Sequence, residues 1–405
     1  MKPILRAERM KPVHSDIRGP LFVEAMKRQK QGIDILKLNT GNPATFGFGL
    51  PDSIKNALME HIQDGVGYCD FKGMPQARQA ICDYETSKGI KGITPDDVFI
   101  GNGVSEVVSF ALTPLLNDGD EVLVPSPSYS LWGNSVYLED GKPVFYTCDE
   151  QANWYPDIQD IRSKITDKTK AIVIINPNNP TGVLYPKEIL LEIIQVAREF
   201  GLLIFADEIY DRLVMDGKQH ISLASLTEDV PVITLNGLSK SHCLCGYRCG
   251  WMVISGPREL TEDYRQGIIQ LTSLRLCANT MAQIVIPAAL DDMDTPASMV
   301  RPGGRIYEQR EATVRELEKI NGLSFVKNDA AFYVFPKLDV KKFNITNDKQ
   351  FAHDLLDATN ILLVPGSGFD WKDPDHFRIV MLPQADILSD AIRRMGTFLD
   401  GYKQK

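Results

Sequence analysis

Three short apolar runs in the middle of the chain constrain its fold more than any other feature: AIVIINP (171–177), LLIFADE (202–208) and VPVITLNG (230–237). Each is rich in β-branched or other apolar residues and stops on polar ones, the pattern of a buried strand. The first two are separated by PKEILLEIIQVAREF, where Ile189, Ile193, Val196 and Phe200 recur at helical spacing. Strand, helix, strand at this rhythm predicts βαβ units, and hence an α/β protein with a mostly parallel sheet. Such sheets hold their functional residues at the carboxyl ends of the strands. A further strand, EVLVPSPSY (121–129), runs into a loop.

The 405 residues suffice for two domains, each with its own core. Around MDTPASMVRPGGR (293–305) the alternation gives way to a break marked by proline and glycine. Beyond it GRIYEQREATVRELEKI reads as a helix, and AFYVFPKL and HFRIVML read as strands. We therefore expect a large domain over 49–292 and a smaller α+β domain over 293–405. An N-terminal segment, 1–48, is expected to pack with the small domain and the functional site. No internal repeat interrupts this scheme.

Composition narrows the class. A net charge of −9 argues against a general nucleic-acid binder, which would show a basic balance. No window approaches the ~18–20 consecutive apolar residues of a membrane helix. The first twenty residues lack the apolar core and cleavage site of a signal peptide. Seven cysteines, an odd number scattered through a long chain, do not resemble a disulfide framework. The expected location is the cytoplasm, with no membrane or nucleic-acid partner.

The candidate chemistry sits at successive strand ends. After the first run comes NNPTG (178–182), which reads either as a plain turn or as a site where Asn179 projects an amide toward a ligand. The second ends in ADEIYD (206–211). Its acids either solvate the sheet edge, or Asp207 holds a protonated pyridine nitrogen while Tyr210 bonds a ring oxygen. The third ends in NGLSK (236–240). Lys240 is either a surface charge or an amine held out of water, where desolvation lowers its pKa and makes it a nucleophile able to form a Schiff base. Arg248 then suits a phosphate clamp. Upstream, GNGVSE opens a helix at Gly101, where backbone N–H groups and the helix dipole attract phosphate.

The stretch LSKSHCLCGYRCGW (238–251) also places His242, Cys243, Cys245 and Cys249 within eight residues. A closed zinc site needs four converging ligands, and nothing downstream offers a matched cysteine pair. The cysteines are read as small packing residues and no metal is expected. One exception is entertained: the Cys243 thiol is reactive if neighbouring phosphate-binding cations lower its pKa.

Taken in order, these motifs resemble the fold-type I pyridoxal-phosphate aminotransferases over essentially the whole chain. LNTGNP (38–43), NGVSE (102–106), NPNNPTG (176–182), DEIYD (207–211), Ser239–Lys240 with an arginine eight residues on, and HFRIV (376–380) follow one another as the family's landmarks do. The resemblance implies a mostly parallel seven-stranded sheet between helices, a smaller α+β domain, and pyridoxal 5′-phosphate as cofactor. Substrates would be amino acids and 2-oxo acids. Lys240 would carry the cofactor and then move the proton in the 1,3-shift. Asp207 would pair with the pyridine nitrogen, Tyr210 and Asn179 with the 3-oxygen, and Tyr129 would stack on the ring. Val104, Ser105, Ser239 and Arg248 would hold the phosphate, partly through backbone groups. Arg378 would grip the substrate α-carboxylate, bordered by Asn179 and helped by the Gly41 backbone. Tyr68 would reach the neighbouring subunit's phosphate, which implies a homodimer with shared active sites.

Within the family, SDIRGP, LKLNTGNPATFGF, RLCANT and PGGRIYEQR resemble the alanine (glutamate–pyruvate) branch. There Arg18 is the candidate for the distal carboxylate of glutamate or 2-oxoglutarate. Three positions depart from the pattern: Ser15 where that branch often has tyrosine, Cys243 where it commonly has arginine, and Gly237 where some relatives carry a phosphate-binding serine. The leading expectation is transamination between alanine and 2-oxoglutarate. The alternatives are a transaminase for methionine, aromatic or other neutral amino acids, a cysteine-conjugate β-lyase, and a non-catalytic ligand sensor.

Overall fold

The three apolar runs become adjacent parallel strands in the computed structural model, which describes residues 3–405. In chain order the central sheet contains β1 (Val98–Asn102), β2 (Glu121–Ser126), β3 (Lys142–Asp149), β4 (Tyr155–Pro156), β5 (Thr169–Ile175), β6 (Leu203–Asp207), β7 (Val232–Gly237) and β8 (Cys249–Ser255). Their spatial order is β1-β8-β7-β6-β5-β2-β3-β4. Neighbours from β7 through β3 are parallel. Strand β8 runs antiparallel to β1 and β7, and β4 antiparallel to β3. The sheet thus has eight strands rather than the expected seven. The extra one is the two-residue β4, too short to register as a periodic run.

Alternate residues of the inner strands feed two cores. Val173 and Ile175 face one with Val124, Phe205 and Leu235; Ile172 and Ile174 face the other with Leu123, Ile204 and Val232. Cover on both faces removes the need for polar alternation, which is why these strands read as continuous apolar runs. Helix α1 (Pro75–Ser87) covers the β1 end of the sheet. Helices α2 (Val104–Leu112) and α3 (Leu131–Leu138) cover the first core, and α4 (Lys187–Phe200) covers the second. The buried stripe of α4 is Leu190, Ile193, Ile194, Val196 and Ala197. Phe200, expected on that face, is instead exposed beneath the Arg162 guanidinium, 5.9 Å from its ring centre.

The C-terminal third forms a core of its own around Val334, Leu355, Ile379, Leu388 and Ile392. Leu38 joins it, and Leu36–Lys37 pairs in parallel with Ile361–Leu362. Farther toward the N-terminus the chain takes a different course. Arg9 pairs with Asp140 at 2.9 Å, and the His14 backbone bonds to Asn134 of α3. The expected break at 293–305 contains a short helix, Asp294–Val300. AFYVFPKL splits into Tyr333–Val334 and Lys337–Leu338 around Pro336, which has no N–H for a ladder. HFRIVML supplies strand β9 (Phe377–Val380). Among the described residues no single helix is long and apolar enough to cross a membrane.

Candidate active site

Strands β5, β6 and β7 end side by side, so the polar residues after each are delivered to one place. Asp207, the last residue of β6, is buried. It accepts the Trp132 indole N–H at 3.1 Å and the Ile209 backbone N–H at 3.3 Å. Burial pushes its carboxyl up to about 6, against the pull of those donors and of Lys240. Tyr210 lies three residues on, buried, with its hydroxyl 3.0 Å from that of Tyr333.

Lys240 sits in the single turn α5 (Leu238–Ser241) that follows β7. Its Nζ donates to the Gly41 carbonyl at 3.0 Å and lies 5.9 Å from the centre of the Phe332 ring. Desolvation draws the ammonium's pKa down, but Tyr333, Cys245 and Tyr129 draw it up, and the net direction is upward. The lowering expected from desolvation alone is therefore overridden by the phenols and thiol around the amine. Tyr129, half turned to solvent, is near enough to act on both Lys240 and Arg378.

A clamp for an anion forms where α2, α5 and β8 meet. Val104 and Ser105 open α2, and Ser239 lies in α5. Arg248 donates through Nη2 to Ser105 Oγ at 3.1 Å and through Nη1 to the Cys245 carbonyl at 3.0 Å. Gly103, at φ +85°, is required here, because a Cβ would stand 2.3 Å from Arg248 Nη2. Close packing also explains Gly237, where a Cβ would lie 2.5 Å from the Cys249 carbonyl oxygen. No side chain fits at that position, so anion contacts fall to the residues around it.

On the opposite side stands Arg378 of β9, 1% exposed. Its Nη1 donates to Asn179 Oδ1 at 2.9 Å and its Nη2 to the Asn39 carbonyl, while Nε has no partner. The guanidinium carbon lies 4.6 Å from the ring centres of both Tyr333 and Phe369. Desolvation lowers its pKa, and among the described residues no carboxylate comes within ion-pair distance. Gly41 is fixed by crowding, since a Cβ there would meet the Tyr333 hydroxyl at 2.3 Å. Arg18 is exposed, yet its chain neighbour Ile17 accepts from Asn39 at 2.8 Å, two hydrogen bonds from Arg378. Tyr68 is not brought into this group; it stands on the surface, 84% exposed.

The cysteine-rich stretch does not converge. His242 is engaged by Ser241 Oγ at 3.0 Å and by the Asp292 carbonyl at 3.3 Å, and Cys245 Sγ points to the Ser239 carbonyl at 2.9 Å. Burial pushes the Cys243 thiol up to about 12, despite Lys240 and Arg305, so the reactive thiolate entertained for it is not supported. Cys249 is likewise raised to about 12 by burial. Among the described residues one group of acids and histidine lies at metal-ligand spacing, Glu208, Asp211 and His220. The Lys88 ammonium already sits there, 2.7 Å from Glu208 and 3.2 Å from Asp211.

Sequence reasoning missed Trp132 and Tyr333. Trp132 lies in an apolar helix whose composition marks it as core, and only the fold brings its N–H to Asp207. Tyr333 lies in AFYVFPKL, far from every motif in the chain, yet it touches Tyr210, Gly41 and Arg378.

A half-buried lysine beside a buried carboxylate, an anion clamp at a helix start and an uncompensated arginine form a site for a zwitterionic substrate and an anionic cofactor. Residues 33–392 match the model of the family "Aminotransferase class I and II". The chain is 49% identical over 404 residues to glutamate-pyruvate aminotransferase AlaA of Haemophilus influenzae, covering all of both chains. It resembles the crystal structure of an aminotransferase from Escherichia coli, with a TM-score of 0.98 and 46% identity over the full length of both. An alanine aminotransferase structure from Pyrococcus furiosus matches at a TM-score of 0.93 and 41% identity, over 98% of this chain and 100% of that one. The protein belongs to the class I and II aminotransferases. Enzymes of this family transfer amino groups with pyridoxal 5′-phosphate, and this chain is a transaminase of that kind.

Proposed function

We propose that the enzyme exchanges an amino group between alanine and 2-oxoglutarate, giving pyruvate and glutamate. The observation that carries this reading is Arg378, a buried guanidinium with no carboxylate partner among the described residues, facing the same Gly41 turn as Lys240. A ligand carboxylate would remove that electrostatic deficit. The names of relatives at 49% and 45% identity, glutamate-pyruvate and alanine aminotransferase, support the choice of substrates.

The residues present fit pyridoxal phosphate, which supplies an aldehyde carbon and an electron-accepting ring. Arg248, Ser105, Ser239 and the backbone N–H of Val104 hold its phosphate. Asp207 would stabilise a proton on the ring nitrogen, and that positive charge would relieve its buried carboxyl, otherwise raised. Tyr210 and Asn179 would hydrogen-bond the 3-oxygen and Tyr129 would cover the ring. Lys240 Nζ would take the proton from the substrate α-carbon and hold it for return in the 1,3-shift. Arg378, with Asn179 and the Gly41 backbone, fixes the α-carboxylate so that the Cα–H bond faces that amine. Arg18 swings in for the distal carboxylate of the five-carbon substrate and out for alanine.

The same reading makes the enzyme a homodimer in which Tyr68 completes the partner's phosphate site. In support, Tyr68 lies exposed in a chain segment that also exposes Val66, and Leu274 and Leu276 are exposed as well. The same reading divides the chain at 48/49 and 292/293 and places the enzyme in the cytoplasm, to which seven free cysteines are suited.

The test is a panel of amino donors against pyruvate and 2-oxoglutarate. Alanine and glutamate should give the highest kcat/KM, and methionine or tyrosine ahead of both by about tenfold would overturn the assignment. Lys240→Ala should lose on the order of 10⁴-fold in kcat while still binding the cofactor.

A further inference from the structure

One buried histidine serves no step of this chemistry. His376 directly precedes β9, is fully buried, and lies in a box of aromatic rings. It stacks on Phe335 at 4.9 Å and 18° and meets Trp154 and Trp371 edge-on at 5.2 and 5.3 Å. Its Nδ1 is 2.7 Å from Asp375 Oδ1, which also accepts the Trp371 indole N–H at 3.0 Å. Its Nε2 makes no hydrogen bond but lies 3.4 Å from Glu150 Oε1, within ion-pair distance. Among the described residues one other charged group faces this pocket, Lys337, whose Nζ lies 2.8 Å from Glu150 and 3.5 Å from Asp375.

The charge count decides the protonation state. With a neutral imidazole the pocket contains two carboxylates and one ammonium. A second proton on His376 balances it. Desolvation opposes that proton, but Asp375 and Glu150 outweigh it and the pKa is raised. Glu150 follows β3 in the central sheet, whereas His376, Asp375 and Lys337 belong to the C-terminal third, so the imidazolium ties two parts of the molecule together.

The tie leads to the substrate arginine by two routes. Along the chain, Arg378 is two residues beyond His376, on the same side of the extended backbone. Through space, Phe335, stacked on His376, meets Phe369 edge-on at 5.9 Å, and Phe369 carries the Arg378 guanidinium at 4.6 Å.

We propose that His376, as an imidazolium held between Asp375 and Glu150, is a positioning residue for Arg378 and thereby sets affinity for the substrate carboxylate. This rests on the reading of Arg378 as the carboxylate clamp. Because the folded pKa is raised, the tie is complete at low pH and is lost as pH rises through the folded value.

The test measures KM and kcat for alanine with the holoenzyme between about pH 6 and 9, in wild type, His376→Gln, Glu150→Gln and Arg378→Met. In wild type KM should rise about tenfold as the imidazolium deprotonates, with kcat changing by less than about twofold. His376→Gln should show the high KM at every pH and no inflection. Glu150→Gln removes one of the two carboxylates, so its inflection should move to lower pH, which no merely structural role for the ring would produce. A wild-type KM profile in His376→Gln, or an unmoved inflection in Glu150→Gln, would overturn the proposal while a raised KM in Arg378→Met leaves the clamp reading standing. If Arg378→Met leaves KM unchanged, the clamp reading itself fails and this inference with it.

Discussion

Two groups of buried charge lie a few residues apart along β6 and its following loop, and they are built on opposite plans. In the first, Lys88 at the end of α1 contacts Glu85 at 2.8 Å, Glu208 at 2.7 Å and Asp211 at 3.2 Å. Asn236 and Tyr84 complete the coordination of Asp211 at 2.7 and 2.5 Å, and Ser222 and the Leu223 N–H bond Glu208. Here three carboxylates share one ammonium, and each lies within ion-pair distance of it. In the second, Asp207 has only neutral donors, and Arg378 has only neutral acceptors and aromatic faces. The difference separates a structural ion cluster from a binding site. A fold that leaves a carboxylate and a guanidinium buried without counter-ions has left places for a cationic ring and an anionic substrate.

The comparison breaks most visibly at Lys88. Lys88→Met would strand three carboxylates around an apolar side chain, and breaking such a buried cluster costs about 3–5 kcal/mol. Denaturant unfolding should show that loss directly. Arg378→Met is the counter-experiment. It removes a buried charge that has no ion partner but leaves the Asn179 and Asn39 oxygens without a donor, so the stability of the protein freed of pyridoxal phosphate should fall by about 1–2 kcal/mol, less than for Lys88→Met, while kcat/KM falls by about 10²–10³-fold. If both variants lost similar stability, the distinction between the two clusters would be wrong.

Asp207 sharpens the same contrast through pH. Its folded pKa, about 6, lies above that of an unfolded aspartate. The folded state therefore binds this proton more tightly, and its contribution to stability falls as pH rises from about 4 to about 6, by about 3 kcal/mol in all. Asp207→Asn has no such slope. Subtracting its stability from that of wild type at each pH, in the absence of cofactor, should isolate a falling curve. A flat difference would mean that the carboxyl is not desolvated.

How far all this was legible in the chain depends on where each residue's partners lie. Lys240, Asp207 and Asn179 announce themselves because each terminates or follows an apolar strand, and a parallel sheet aligns strand ends without further information. Arg248 and Gly103 are legible singly, but their mutual approach is not, since it depends on β8 turning back beside β1. Trp132, Tyr333 and Lys88 act through contacts 75, 123 and 120 residues away in the chain, to Asp207, Tyr210 and Glu208 respectively. Nothing in their local pattern distinguishes them from core or surface residues. The same blindness left Tyr333 out of the desolvation-only view of Lys240, whereas the seven-strand count came from the family resemblance and missed the two-residue β4.

Trp132 carries the smallest of these effects and the most specific one. Its indole N–H is the donor to Asp207 Oδ2, and that bond holds the carboxyl's pKa below where burial alone would put it. Its ring also packs on Phe205, with centroids 5.4 Å apart. Trp132→Phe preserves much of the packing and deletes the donor, so the ionised carboxylate loses a hydrogen bond worth about 1.5 kcal/mol or somewhat more. In the protein freed of pyridoxal phosphate the carboxyl's pKa should move further upward, so the stability difference between wild type and Trp132→Phe should be smallest at about pH 4, where the carboxyl is protonated in both, and should grow by about 1.5 kcal/mol once it is ionised. A difference equal at all pH values would assign Trp132 to packing alone, and would leave the Ile209 N–H as the main donor keeping Asp207 ionised.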